Sequence, residues 1–151
     1  GAERMYREAL AHLDALGALE ARFVELNLAI LALQQGQTDV ARSMLSRCDT
    51  GLRRRGGEPA LFIVVDLGVL AAAALDRQWS EFDAALEKAE EKLARAHFVD
   101  PDLALLLSIA GDSAREAGEP DRARAAYRNA ANEWRRLGQE VKAAELDALA
   151  G

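Results

Sequence analysis

Apolar residues recur along this chain in alternating steps of four and three, the spacing that lines up side chains on one stripe of an α-helix. No stretch shows the residue-by-residue alternation of a half-buried strand. The pattern predicts eight helices, at about 2–16, 19–35, 38–55, 59–76, 79–98, 101–117, 120–137 and 139–150. Pro59, Pro101 and Pro120 each follow an acidic residue (Glu58, Asp100, Glu119). Proline suits a helix's first turn, and an acid there faces the positive end of the helix dipole. The most apolar stretch, Leu61 to Leu75, is too short to cross a bilayer, which takes roughly 20 residues. Interrupted by Asp66 and Gly68, it predicts a helix buried on most of its sides.

Four segments share one register. Ala2, Tyr6, Ala9, Leu13, Leu16 and Gly17 form the first, and Ala123, Tyr127, Ala130, Trp134, Leu137 and Gly138 the last. Between them lie Ala41, Leu45, Cys48, Leu52, Arg55 and Gly56, then Phe82, Leu86, Ala89, Leu93, Ala96 and His97. Successive copies are offset by 39, 41 and 41 residues. Gly36 and Gly118 stand five residues ahead of their segments, where a tight turn between helices is expected, and Arg77 takes that place in the middle copy. Upstream of each turn come small residues that let helices approach closely: Ala29 and Ala32, Ala73, then Gly111 and Ala114. Each unit thus reads as a helix with a small-residue face, a short turn, and a second helix with a larger apolar stripe.

This arrangement resembles the tetratricopeptide repeat. Gly111, Ala114, Gly118, Ala123, Tyr127 and Ala130 match that family's small and aromatic positions best; Ala29, Ala32, Gly36, Ala41, Leu45 and Cys48 form a second copy. In the middle copy Leu70 and Phe82 replace residues the family keeps small, and Trp79 supplies an aromatic just before the second helix. The period is longer than the family's usual ~34 residues, which is similar to arrays in large bacterial signalling ATPases and kinases. The resemblance implies an all-α fold, an antiparallel helix-pair solenoid forming a single domain over 1–151. Its parts would be a half repeat at 1–17, repeats at 18–56, 57–98 and 99–138, and a terminal helix at 139–150. Stacking such pairs buries a face that no single pair could, so about three are needed for stability. A chain that starts with Gly1, half a unit into the pattern, is expected to be a fragment of a longer protein.

The resemblance also implies a concave wall lined by the first helix of each pair. Carried over position by position, the wall comprises Phe23, Leu26, Asn27, Ile30, Leu33 and Gln34, then Val64, Leu67, Ala71 and Leu75, then Leu105, Ser108, Asp112 and Arg115. It would grade from apolar to polar and could hold an amphipathic helix or an extended peptide. The family's clamp for a peptide's terminal carboxylate uses Lys, Arg and Asn; only Asn27 and Arg115 are of that type, which argues against chaperone-tail binding.

Composition narrows the chemistry. With 19 Lys+Arg against 25 Asp+Glu, the net charge is −6, which argues against nucleic acid and against an anionic membrane surface. The lone Cys48 excludes an intrachain disulfide or a cysteine-based metal cluster, and its small-stripe position predicts an inert core thiol. His12 and His97 are the only histidines and lack ligand spacing. Glu87, Lys88, Glu90, Glu91 and Lys92 read as a solvated face with i,i+4 pairs. Arg53, Arg54 and Arg55 before Gly56-Gly57 could contact phosphate or an acidic peptide. They equally suit a helix C-terminus, a reading strengthened by Arg135-Arg136 before Gly138. Truncating Tyr127 or Trp134 to Ala is expected to cost about 3 kcal/mol or more.

The sequence therefore points to a non-catalytic protein–protein interaction or scaffold module, without cofactor or metal, in a larger bacterial, cytoplasmic signalling or regulatory protein. Its partner would be a protein or peptide. An alternative is a sensor that binds a small molecule in an enclosed pocket near Phe23 and Val64 and regulates an attached kinase or transcription factor. A homodimer through exposed end helices is a third use.

Overall fold

The computed structural model describes residues 2–13, 17–55 and 59–151. Among them the chain is all-helical, with eight helices: α1 (Ala2–Leu13), α2 (Ala18–Gln34), α3 (Thr38–Arg55), α4 (Pro59–Leu75), α5 (Trp79–Arg95), α6 (Pro101–Glu116), α7 (Pro120–Arg136) and α8 (Glu140–Ala150). Helices α2 and α3, α4 and α5, and α6 and α7 pack as hairpins, and α8 packs on α7. The hairpins are joined side by side, chiefly through α4 against α6 and α3 against α4. Leu16 and Gly56-Gly57, predicted as the ends of two register segments, lie outside the described residues.

The centre of the stack is α4. Its apolar run leaves no polar face, and it is accordingly surrounded by α2, α3, α5 and α6. Leu61, Ile63, Val64, Val65, Leu67, Leu70 and Ala71 to Ala74 are all buried there. The register stripes face the same core: Tyr6, then Ala41, Leu45, Cys48 and Leu52, then Phe82, Leu86 and Ala89, then Ala123, Tyr127 and Ala130 are buried. Each large side chain removed from water contributes roughly 1.5–3 kcal/mol. Trp134 differs from expectation. It is only partly buried, and its ring lies 4.3 Å from the Lys142 ammonium of α8, a cation–π contact rather than a core one.

The small residues do what their spacing predicts. Ala29, Ala32, Ala73 and Ala114 are fully buried. At Gly111 a Cβ would lie 2.7 Å from the Tyr127 ring, so this α6–α7 approach requires glycine. The turns repeat as well. Gly36, Gly118 and Gly138 have φ of +73°, +78° and +77°, and Arg77 adopts +57° in the equivalent turn. In all four the next residue's N–H reaches back to the carbonyl five residues before it (Gln37 to Ala32, Gln78 to Ala73, Glu119 to Ala114, Gln139 to Trp134). That bond is the helix-terminating Schellman arrangement, which needs a left-handed residue. Arg77 therefore holds a conformation that costs an L-residue about 1 kcal/mol.

One boundary departs from the predicted helix over 79–98. Helix α5 stops at Arg95; Ala96 is extended, and residues 96–100 form a non-helical connection. Two features explain it. Asp100 caps α6, its Oδ1 accepting from the Asp102 N–H at 2.9 Å with Pro101 behind it. Arg136 reaches across from α7 and its Nη2 donates to the carbonyls of Ala96 (3.0 Å) and Phe98 (2.9 Å). The guanidinium thus gives these two carbonyls a side-chain partner where the helix ends. Arg135 and Arg136 are thus more than C-terminal charges, since Arg135 also pairs with Asp147 of α8.

Candidate functional site

The carried-over wall divides sharply. Leu26, Ile30 and Leu33 of α2 and Val64, Leu67 and Ala71 of α4 are buried in the core, where they hold the helices together. This corrects the expectation that they line an open groove: stacking α2, α4 and α6 uses those faces for packing and leaves them no surface for a partner. Leu75, Leu105 and Ser108 are half-buried, and the Ser108 hydroxyl donates back to the Ala104 carbonyl. Phe23, Asn27, Gln34, Asp112 and Arg115 are exposed. Of these, Asp112 accepts the Tyr127 hydroxyl at 2.6 Å and Arg115 stacks 5.8 Å from the same ring. The two are brought together by Tyr127 rather than by a groove. Burial and the Asp112 carboxylate push the Tyr127 hydroxyl well above its ordinary titration range.

An apolar cavity of about 690 Å³ lies elsewhere, open to solvent where the ends of three helices meet. Helix α4 supplies Pro59, Ala60, Phe62 and Ile63 from its first turns; α5 supplies Lys92 and Arg95 from its last turn; α3 supplies Arg53. The connection after α5 closes the wall with Ala96, His97 and Phe98. The early end of α5 creates this space. The volume falls within the 300–1,000 Å³ of typical ligand pockets.

The cavity is lined by cations on an apolar floor. Arg53 and Lys92 sit 5.9 and 5.8 Å from the Phe62 ring centre, within the range of attraction between a cation and an aromatic face. Each cation also has a carboxylate neighbour that does not line the cavity. Arg53 Nε donates to Asp49 (2.9 Å), Lys92 Nζ to Asp66 (2.5 Å) and Arg95 Nη2 to Glu91 (3.3 Å). The Arg53 side chain is exposed, and the Asp49 hydrogen bond raises its already high pKa.

Other charged groups tie helices together. Arg42 of α3 holds Asp76 and, with two bonds, Glu81; Arg122 of α7 holds Asp83 of α5 with two bonds at 2.8 Å, and Glu119. The Arg122 guanidinium lowers the pKa of Asp83 below the usual carboxylate range. Glu25, fully buried, sits between Arg22 (2.5 Å) and Arg47 (3.2 Å) across α2 and α3. Cys48 is buried, and desolvation pushes its thiol up to about 12. Among the described residues no three His, Cys, Asp or Glu side chains gather in a way that could hold a metal ion, and no helix is long and apolar enough to cross a membrane.

The exposed large apolar side chains among the described residues are Met5, Leu19, Phe23 and Leu31 in α1 and α2, Val99 in the connection after α5, and Val141 (74% exposed) and Leu149 in α8. No family profile, no curated protein and no solved structure matches this chain.

Sequence reasoning missed the cavity because it extended α5 through Ala96, His97 and Phe98. The available signal was Asp100-Pro101, which restricts the residues before it and marks the next cap.

Proposed function

We propose that this chain is a non-catalytic protein-interaction module of the tetratricopeptide-like kind. The helix stack is the scaffold, and a partner's peptide segment seats in the Phe62 cavity. The single observation that carries this reading is a ligand-sized, mostly apolar cavity with three cationic side chains in its lining, on a rigid helical frame. The repeat kinship draws support from the Gly111–Tyr127 contact and from the four matching turns. The parent is a larger bacterial, cytoplasmic signalling or regulatory protein, an assignment resting on the acidic balance, the abundance of Ala and the preference for Arg over Lys.

A second reading is favoured by the cavity's volume, which also suits a small molecule. The chain is then a sensor regulating an attached enzyme or transcription factor. Selection of a random dodecapeptide phage library on the immobilised chain separates the two. Enriched peptides that shift backbone amide resonances of the folded chain support the interaction module. Absence of enrichment, together with a melting-temperature rise from a metabolite set, replaces it with the sensor.

A further inference from the structure

We infer that the Phe62 cavity selects an acidic linear peptide, one bulky apolar side chain entering over Phe62 and Phe98 and its flanking carboxylates meeting Arg53, Lys92 and Arg95. This rests on the interaction-module reading and deepens it.

The charge pattern is the first argument. The chain as a whole carries −6, yet among the described residues Arg53, Lys92 and Arg95 line the cavity and no Asp or Glu does. Their partners Asp49, Asp66 and Glu91 lie outside the lining. The Asp49 bond uses only Nε of Arg53, and the Glu91 bond only one Nη of Arg95, so a guanidinium fork has further N–H groups for a second carboxylate. The second argument is the shortage of acceptors. The Ala96 and Phe98 carbonyls each already accept from Arg136. Each keeps one further lone pair, but the charged side chains described in the lining, Arg53, Lys92 and Arg95, are all donors, which matches carboxylates and disfavours a basic ligand. The third is shape. The cavity opens to solvent, so a free apolar acid would leave much of its surface in water. A peptide seats one side chain and runs its backbone across the surface, placing charges on both sides of the anchor.

The test is an array of octapeptides with a central Phe, Leu or Trp, flanked on both sides by Asp/Glu, by Ser/Gly or by Lys/Arg. Hits are measured by fluorescence anisotropy. The expected order is acidic above neutral above basic, with affinity falling as salt rises from 50 to 300 mM. The Arg53→Gln/Arg95→Gln double variant, both positions on the surface, should weaken the acidic peptides at least tenfold with an unchanged melting temperature. Phe98→Ala, in the non-helical connection, should weaken all apolar-anchored peptides. A flat or basic-preferring array overturns the inference, as does an unchanged affinity in the double variant. Phage-selected peptides that bind regardless of these substitutions would keep peptide binding by the helix stack but overturn both the acidic selection and the Phe62 cavity as its seat. Dodecanoate raising the melting temperature where no array peptide binds would sink both.

Discussion

The approach of α6 to α7 at Gly111 makes the sharpest prediction. Gly111→Ala adds a Cβ 2.7 Å from two carbons of the Tyr127 ring and 3.1 Å from a third. The ring is buried (1% exposed) and anchored by its hydroxyl to Asp112, so it cannot swing away without giving up a 2.6 Å hydrogen bond. Overpacking of this kind costs about 1–3 kcal/mol. Against it stands the helix-forming advantage of Ala over Gly, about 1 kcal/mol. The expected net is a loss of up to about 2 kcal/mol, near 1 kcal/mol at mid-range. In urea unfolding followed by circular dichroism, with a slope of about 2 kcal/mol/M, the midpoint falls by roughly half a molar, and by no more than about one, at unchanged slope. Tyr127→Ala alone costs about 3–5 kcal/mol, and Trp134→Ala, only partly buried, less. With the ring gone, Gly111→Ala has nothing to strike, and in the Tyr127→Ala background it should stabilise by up to about 1 kcal/mol. The two substitutions must therefore be strongly coupled. If Gly111→Ala stabilises the native chain, or has one effect in both backgrounds, the close approach is not what glycine is there for.

Four further outcomes follow from other contacts. Arg77→Gly should stabilise by about 0.5–1 kcal/mol by relieving the left-handed backbone, while Gly118→Ala in the matching turn destabilises by about 1 kcal/mol; both are read from urea midpoints. Because the folded state keeps the Cys48 thiol protonated up to about 12, the unfolded chain releases that proton first as pH rises above the ordinary thiol value. Stability is therefore fully present below that value and falls above it, by about 1 kcal/mol at pH 10, and this slope should shrink in Cys48→Ala melts, the remainder near pH 10 belonging to the raised Tyr127 hydroxyl. Arg136→Ala frees the Ala96 and Phe98 carbonyls, so backbone NMR order parameters across 96–100 should fall while the core of α4 keeps its hydrogen-exchange protection. End-to-end pairing through Val141 and Leu149 should appear as a dimer in sedimentation velocity at high concentration and be lost in Val141→Glu; a monomer throughout refutes that contact.

Much of the helical scheme was legible because it is local. The 3.6-residue period, the prolines at first turns and the turn positions 36, 77 and 118 depend only on backbone sterics and on which face is apolar. Even Arg77 could be placed in its turn, though the cost of its conformation shows only in its φ. What the one-dimensional pattern could not decide was which apolar positions spend their surface on packing. Leu26, Ile30, Leu33, Val64, Leu67 and Ala71 look the same in sequence whether they line a groove or a core, and only the neighbours of α2 and α4 resolve it.

The cavity is a tertiary product for the same reason. Arg53 and Arg95 are ordinary helix-end cations by sequence. They line one cavity with Phe62, closed by the connection after α5, whose Ala96 and Phe98 carbonyls are held by Arg136 some forty residues away. By itself the chain's covalent order set the helices, most of their ends and the repeat, since these obey interactions a few residues long; the end of α5 is the exception. Long-range packing set which faces vanished and where the donors converged, since burial belongs to the whole assembly and not to any one segment.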